Sequence, residues 1–446
     1  MSKLALRVKD FRAIANAEIE LDGITVISGI NSAGKSTLSK LLYYIVKLTL
    51  EQEKIITDNL IYEVGTVLSS LSRLLDELQS EPNEFQSDNS KRVHVQWLKN
   101  AKSSDIESLS GLFSSLLGDI EKSFRLREEQ KPLSKQELTR ISNALDTRSF
   151  RKTKSPASPK NVTELFDNIR VKANEVFDKA LYNIKRRPLQ ELQLRLLHYL
   201  KAQNIPVEFF EDEIPILDYT TDRLNNIFSV QQVFYSDTPM VISNYTRDQR
   251  ISVRMDTPHW DFLKQTILET PTAILDMKKK QVAEEIAKII NGNVSLGVSE
   301  FERGLNYKRA TDGLTIELAE SATGIKSFAI LQLLLSEGLL NEKTLFILDE
   351  PEAHLHPQWI VEYARILVLL NKKLGVKFMV ASHNPDMVSA LRYISEKEGI
   401  LDNMHFYLAE KVEGTEQFNY RDLENDIEPI FASFNIALDR INQYGI

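Results

Sequence analysis

The sequence predicts an α/β fold that is interrupted by a long, mainly helical insertion. Three short β-rich runs lead to a glycine loop near the start, and apolar runs followed by helical segments return in the last third. The chain between them is rich in leucine, lysine, glutamate and glutamine at helical spacing. We therefore expect residues 1–55 and 291–446 to form two lobes of one domain, and residues 56–290 to form the insertion.

The first lobe begins with predicted strands. Leu4–Val8 and Ala17–Leu21 alternate apolar and polar residues on either side of a short turn, and Ile24–Ser28 is a compact β-rich run. From Ser36 to about Lys54, apolar residues recur at helical spacing. This order predicts three strands, a glycine loop and a helix.

The rest of the chain is assigned in the same way. Thr344–Leu348 and Lys377–Ala381 are short apolar runs followed by helical segments, which is typical of parallel strands with crossover helices. Within the insertion, Lys160–Leu200 and Leu275–Ile290 are predicted amphipathic helices, and Val230–Ser236 is a strand-like patch.

Composition excludes several classes of site. The 446 residues include no cysteine, which excludes disulfides and cysteine nucleophiles. The net charge of −8 argues against a surface that is basic all round, although a local basic patch remains compatible with it. No apolar run reaches the length of about 18 residues that spans a membrane, and the N-terminus is unlike a signal peptide. We expect a cytoplasmic protein without membrane contact.

The glycine loop carries a phosphate-binding motif. Gly29–Ser36 reads GINSAGKS, which fits the P-loop (Walker A) pattern between a predicted strand and a predicted helix. Backbone N–H groups would cradle the phosphates of ATP, Lys35 would reach the β- and γ-phosphates, and the Ser36 hydroxyl would bind Mg²⁺. A glycine turn before an ordinary helix is the alternative, but motif and context agree. The residues expected to contact ATP are Gly29, Asn31, Ser32, Ala33, Gly34, Lys35, Ser36 and Thr37.

Polar side chains follow two further apolar strands. Asp349 and Glu350 end a Walker B run, where the aspartate would bind Mg²⁺ and the glutamate would act as general base. An edge strand ending in exposed acids is the alternative, which a P-loop in the same chain disfavours. His383 ends the other strand. A lone histidine is usually structural, but this position favours a catalytic role beside Lys35 and Glu350.

These motifs together resemble the ABC-type ATPases of the SMC, RecF and OLD group. Lys9–Ile14 resembles the end of that group's first strand, Leu348–Pro357 its extended Walker B and D-loop, and Ser382–Asn384 its H-loop. The resemblance covers about residues 1–55 and 310–400. It implies an ABC-type P-loop ATPase head in which His383 contacts the γ-phosphate and Arg12 lies near the nucleotide.

The resemblance also implies a homodimer or a higher homo-oligomer, in which the signature loop of one subunit completes the ATP site of another. The matching stretch, Glu320–Ser327, departs from the usual Ser-Gly-Gly pattern and keeps only Gly324. Either Ser321 or Thr323 would therefore supply the hydroxyl that meets the γ-phosphate. Gln231 and Gln232 are candidates for the Q-loop.

Other charged and histidine residues leave alternatives open. His354 and His356 beside Glu352 could bind a metal, although the resemblance places histidines in the D-loop. Two basic clusters in the insertion could contact phosphate backbones of double-stranded DNA, or could be a solvated loop and a helix C-terminus. The clusters are Arg148, Arg151, Lys152, Lys154 and Lys160, and Lys185, Arg186 and Arg187.

The function expected from these features is ATP hydrolysis in which dimer closure controls DNA or a partner, in anti-phage defence or DNA repair. The segment after His383 is too short for the nuclease domain of OLD proteins, so we expect a separate effector, a nuclease or a toxin. The alternatives are a slow ATP-binding sensor that holds the effector and, less favoured by the long insertion, a transporter ATPase subunit.

Overall fold

The computed structural model describes residues 2–78, 89–101, 105–144, 159–242, 258–269, 273, 275–297, 304–353 and 355–432. These residues form two compact units, one of residues 1–50 with 189–446 and one of residues 51–188. The strands are β1 Leu4–Phe11, β2 Ile14–Leu21, β3 Ile24–Ser28, β4 Val207–Glu211, β5 Ile214–Pro215, β6 Leu217–Asp218, β7 Arg223–Leu224, β8 Gln232–Ser236, β9 Gly292–Leu296, β10 Leu305–Arg309, β11 Thr315–Glu317, β12 Thr344–Asp349, β13 Lys377–Ala381, β14 Met404–Lys411 and β15 Phe418–Asp422. The helices are α1 Lys35–Leu50, α2 Gln52–Leu78, α3 Asn89–Ala101, α4 Ile106–Gln130, α5 Lys135–Ala144, α6 Val162–Arg186, α7 Leu189–Tyr199, α8 Pro258–Glu269, α9 Met277–Ile289, α10 Thr323–Ser336, α11 Pro357–Leu374 and α12 Pro385–Glu398.

The first unit is built on a ten-stranded sheet in the order β5-β4-β1-β2-β15-β14-β3-β13-β12-β8. Its strands from β14 to β8 run parallel to one another, whereas β1 pairs antiparallel with both β2 and β4. Strands β3, β12 and β13 are buried along their whole length, as expected of parallel strands that are covered on both faces. The carboxyl ends of β3, β13, β12 and β8 therefore lie side by side at one edge of the sheet.

The second unit is helical and has a core of its own. Trp97, Phe124 and Phe166 are fully buried in it, and the Trp97 indole donates a hydrogen bond of 2.9 Å to the carbonyl of Ile61. Gly65 of α2 makes room for this ring, because a Cβ atom there would lie 2.7 Å from the Trp97 Nε1. This unit contains helices α2 to α6.

The prediction of an α/β domain with a helical insertion is confirmed, but the helical unit ends at Pro188 and not near residue 290. Residues 189–290 belong to the α/β unit, where the strand-like patch Val230–Ser236 forms β8 beside the Walker B strand β12. The stretch Lys160–Leu200, which was predicted to be helical, contains two helices, α6 and α7, which are separated at Pro188 because proline cannot continue a helix.

Candidate functional site

The P-loop joins β3 to α1, and its backbone is tightly curled. Gly29 has φ 154° and Gly34 has φ 96°, a region that side chains rarely adopt. A Cβ atom on Gly29 would also lie 2.7 Å from the Cβ of Ala409, so the position admits only glycine. The Ala33 carbonyl, in the same loop, accepts a hydrogen bond of 3.0 Å from the Tyr420 hydroxyl. Asn31, Ser32 and Ser36 are exposed, whereas Thr37 is half-buried.

Lys35 lies inside this loop with its ammonium group held by the backbone. Its Nζ donates to the carbonyls of Gly29 at 2.9 Å and Ile30 at 3.0 Å. Burial lowers the pKa of Lys35, and the carboxylates of Glu350 and Asp349 oppose that effect. The ammonium group is therefore held by hydrogen bonds to two neutral carbonyl oxygens, and the oxygens of a bound phosphate could take their place.

Asp349 ends β12 as a buried carboxylate whose two oxygens differ. Oδ2 accepts a hydrogen bond of 3.0 Å from the hydroxyl of Tyr235, whereas Oδ1 is buried and has no hydrogen-bond partner among the described residues. Burial raises the pKa of Asp349, and the facing hydroxyls of Ser36 and Tyr235 oppose this rise. Within the described ranges, no group of three or more His, Asp or Glu side chains is placed to hold a metal by itself.

Glu350 and His383 face each other across neighbouring strands. The N–H of Glu350 donates a hydrogen bond of 2.8 Å to the carbonyl of Ala381, the last residue of β13. Glu350 has φ 53°, so the chain turns sharply directly after β12. His383 Nδ1 lies 3.0 Å from Glu350 Oε1, and both side chains are partly exposed. A carboxylate in this position can meet both water and an imidazole N–H.

A further acidic residue, Glu352, contacts the segment that carries His383. Glu352 is buried, and its Oε1 accepts hydrogen bonds from the Ser382 hydroxyl at 2.6 Å and the His383 N–H at 3.3 Å. Burial raises the pKa of Glu352, which the Ser382 hydrogen bond opposes. The segment that carries His383 is thus bound to the chain that follows Glu350.

The signature-like stretch leads into α10, which begins at Thr323. Ser321 is buried, and its hydroxyl donates 2.8 Å back to the carbonyl of Leu318, whereas Thr323 is only half-buried at the first turn. Gly324 packs against Trp359, because a Cβ atom would lie 2.8 Å from its ring. Of the two candidate hydroxyls, that of Thr323 is the more accessible.

Some predicted residues are placed elsewhere. The Arg12 guanidinium donates to the carbonyl of Leu200 and lies 5.2 Å from the Phe11 ring centroid. The residues that follow Arg12, Ala13 and Ile14, lie beside Gly34 of the P-loop.

The two Q-loop candidates lie away from the site. Gln232 pairs with Thr344 at the amino ends of β8 and β12, the edge opposite Asp349. Gln231, which bonds the Lys343 carbonyl, lies at that same end, so the Q-loop prediction for both glutamines is wrong. Because β8 and β12 pair in parallel, Asp237, which follows β8, lies at the same edge of the sheet as Asp349.

The two D-loop histidines have different outcomes. His356 caps α11, since its ring nitrogen accepts from the Gln358 N–H at 3.4 Å. His354 lies outside the described residues, so the alternative of a metal site there stays a prediction.

Sequence reasoning missed the residues that gather around the end of β8. Asp237 accepts 2.6 Å from the Trp260 indole and lies 3.2 Å from His259 Nε2. His259 packs edge-on against Tyr235 with ring centroids 4.8 Å apart. The sequence did indicate a strand at Val230–Ser236, but it did not indicate that this strand lies beside the Walker B strand.

A family model for the AAA ATPase domain matches residues 3–388 of this chain, a range that includes the P-loop, the Walker B strand and His383. The chain belongs to the AAA ATPase domain family. The AAA ATPase domain hydrolyses ATP, so the prediction of an ATP-binding ATPase is confirmed. None of the helices within the described ranges is both long and apolar enough to cross a membrane.

Individual curated relatives match only part of this chain, and at low sequence identity. A 176-residue segment is 24% identical to the methionine import ATP-binding protein MetN of Streptococcus agalactiae, covering 39% of this chain and 43% of the relative. The chain spans less than half the length of the curated relatives it matches. Among solved structures, an Smc head bound to the C-winged helix domain of ScpA is 12% identical, with TM-score 0.37 over 96% of this chain and 98% of that one. An Smc head from Pyrococcus furiosus, bound to the C-terminal domain of ScpA, is 10% identical, with TM-score 0.33 over 99% and 100%.

Proposed function

We propose that two copies of this ATPase close around ATP and Mg²⁺, and that closure and hydrolysis control a separate effector protein or double-stranded DNA. The observation that carries the proposal is the convergence of Lys35, Asp349, Glu350 and His383 at one edge of the sheet. Each of these groups suits a different part of ATP hydrolysis.

The donor set fits Mg²⁺ bound together with a nucleotide. Oδ1 of Asp349 is a buried oxygen without a hydrogen-bond partner in the described part of the chain, and the Ser36 hydroxyl faces the same carboxylate. Mg²⁺ is usually held by one or two protein oxygens, with phosphates and water filling the other positions. Ser36 and Asp349 would hold the ion, which when bound neutralises charge on the phosphates.

The remaining residues act on phosphate and water. Lys35 would leave the carbonyls of Gly29 and Ile30 and bind the phosphates. In hydrolysis a water oxygen bonds the γ-phosphorus, the bond from that phosphorus to the ADP oxygen breaks, and Glu350 accepts the water proton. His383, 3.0 Å from Glu350, would orient this carboxylate and approach the γ-phosphate.

Dimer closure is proposed from the signature-like stretch. Ser321 bonds Leu318, and Lys326 bonds the carbonyl of Ala319 at 2.6 Å, so these polar groups serve their own loop. Thr323 and Gly324 begin α10, whose N-terminus carries partial positive charge suited to a phosphate. We infer that this helix start meets the γ-phosphate bound by a second copy.

The effector and DNA roles are finer proposals. Lys185 and Arg186 are exposed at the end of α6, where basic residues also complement the helix dipole. Four residues of the other cluster, Arg148, Arg151, Lys152 and Lys154, lie outside the described residues. A slow sensor that holds a nuclease or toxin uses the same site with lower turnover, and anti-phage defence or DNA repair are the settings we propose for either.

The experiment compares Glu350→Gln and Lys35→Ala with wild type. We expect Lys35→Ala to lose ATP binding, and Glu350→Gln to bind ATP while turnover falls about 10²–10⁴-fold, as loss of a general base typically causes. Glu413→Gln, at an exposed glutamate, is the matched control. Sedimentation of the Glu350→Gln protein with ATP should show a dimer, and without ATP a monomer.

The variant Thr323→Asp tests dimer formation without changing the residues proposed to act in hydrolysis. A carboxylate at the first turn suits the helix dipole but repels a partner's γ-phosphate, so ATP should still bind without dimer formation. Near-normal hydrolysis by Glu350→Gln would contradict the catalytic assignment. A Glu350→Gln protein that stays monomeric with saturating ATP would contradict dimer closure.

A further inference from the structure

Tyr235 places its hydroxyl on the carboxylate of Asp349 from the neighbouring strand. The parallel register pairs Tyr235 with Ile347, two residues before Asp349, and the phenol reaches forward along the sheet to that carboxylate. Tyr235 is 1% exposed and Asp349 is 5% exposed, so the hydrogen bond of 3.0 Å is shielded from bulk water. The phenol is thus a neutral donor to one oxygen of this carboxylate.

The hydrogen bond fixes which oxygen of Asp349 is free. The phenol bonds Oδ2, and Oδ1 has no hydrogen-bond partner among the residues that the structure describes. The terminal torsion of an aspartate is broad, so a carboxylate without such a donor rotates readily. Groups that hydrogen-bond a metal ligand from behind set its orientation, and losing one typically weakens metal affinity about 10–100-fold.

Tyr235 is itself held on two sides. Its ring contacts Tyr43 of α1, with centroids 5.6 Å apart, and His259 of α8, with centroids 4.8 Å apart. His259 Nε2 lies 3.2 Å from Asp237, which also accepts 2.6 Å from the Trp260 indole. The phenol is therefore fixed by packing and cannot follow a rotating carboxylate.

We propose that Tyr235 is a positioning residue, which orients Asp349 so that its Oδ1 faces the Mg²⁺ that accompanies ATP. The inference rests on the proposed role of Asp349 in holding that ion. It assigns the strand before α8 a part in metal binding, which Tyr235 would play through its hydrogen bond to Asp349.

The test measures how Mg²⁺ changes affinity for a fluorescent ATP analogue in wild type, Tyr235→Phe and Tyr407→Phe. Tyr407 is the matched control, because it is equally buried in the same sheet and its hydroxyl accepts from the Glu20 N–H at 3.1 Å. With EDTA the three proteins should bind the analogue alike. The Mg²⁺ concentration for half-maximal enhancement should rise about 10-fold or more in Tyr235→Phe alone.

Two further readouts separate positioning from general damage. At saturating Mg²⁺ the Tyr235→Phe protein should recover wild-type turnover, which a misfolded site would not. In an Asp349→Asn background the Tyr235→Phe change should have no added effect on the Mg²⁺ response, since both act through one carboxylate. Equal Mg²⁺ half-saturation in wild type and Tyr235→Phe would overturn the proposal. A wild-type protein indifferent to Mg²⁺ would overturn the metal assignment of Asp349 as well, whereas Glu350→Gln would still test hydrolysis separately.

Discussion

Glu352 offers a test of how the site is held together, because its carboxylate joins the chain after Walker B to the segment before His383. Oε1 accepts from the Ser382 hydroxyl at 2.6 Å and from the His383 N–H at 3.3 Å. Glu352→Ala removes the acceptor of both hydrogen bonds and leaves the fully buried Ser382 hydroxyl without its partner. Glu352→Gln keeps an amide oxygen in the same place.

The expected cost follows from these two contacts. A buried donor that loses its acceptor costs about 1–3 kcal/mol, so two such losses cost roughly 2–6 kcal/mol. Part of this is offset, because burial disfavours the Glu352 carboxylate and raises its pKa. We expect Glu352→Ala to lower the free energy of unfolding by about 2–3 kcal/mol, which lowers Tm by roughly 2–5 °C in a unit of this size. Glu352→Gln should stay within about 1 kcal/mol of wild type.

The same change should reach the chemistry through His383. Loss of its backbone hydrogen bond frees His383, whose Nδ1 lies 3.0 Å from Glu350. Small displacements of a positioned group cost up to about 100-fold in rate, so we expect kcat of Glu352→Ala to fall at least ~10-fold.

Thermal unfolding and steady-state ATPase assays at one pH measure both effects, with Glu413→Ala as an exposed control. A Glu352→Ala protein with unchanged Tm and kcat would refute the reasoning. If Glu352→Gln were as damaging as Glu352→Ala, the negative charge and not the acceptor would be the important feature.

Two further predictions concern pH and salt. Burial raises the pKa of Glu337 from 4.5 to about 8, so the protonated form is favoured by folding, and stability should fall as pH rises from 4.5 through 8. Glu337→Gln should therefore raise Tm above wild type at pH 9 and change it little at pH 5, and equal Tm values at pH 9 would contradict the burial argument. If the insertion binds duplex DNA, affinity should fall steeply with salt, and Arg151, Lys152 and Lys154 changed to Glu should weaken binding without changing basal ATPase. Equal affinities of both proteins at every salt concentration would instead favour protein contacts.

The motifs of the site were predictable because each is local in sequence. Ile24–Ser28 and Lys377–Ala381 are apolar runs that became fully buried strands, and the glycines of the P-loop have backbone angles that need glycine. A strand run and its following polar residues therefore placed Lys35, Asp349 and His383 at one edge without any knowledge of the fold.

Strand neighbours were not predictable in the same way. The patch Val230–Ser236 was recognised as strand-like, but nothing local shows that it pairs with β12, more than one hundred residues later, or in which direction. That pairing decides two outcomes at once. It puts Gln232 at the edge away from the nucleotide, and it puts the Tyr235 hydroxyl on Asp349. The signature loop is a similar case, since only its folded turn shows that Ser321 bonds Leu318.

The pairing of β8 also changes where the nucleotide state can act. The sequence assigned residues 56–290 to the helical insertion, yet β8 and α8 within that range belong to the α/β unit, and β8 pairs with the Walker B strand. Asp349 is one hydrogen bond from Tyr235, and Tyr235 is one ring contact from His259 at the start of α8. Asp237 binds α8 through His259 and Trp260 and lies 3.9 Å from Lys40 of the P-loop helix. A change in the Asp349 carboxylate on metal binding therefore has a packed, hydrogen-bonded connection to α8 within the α/β unit.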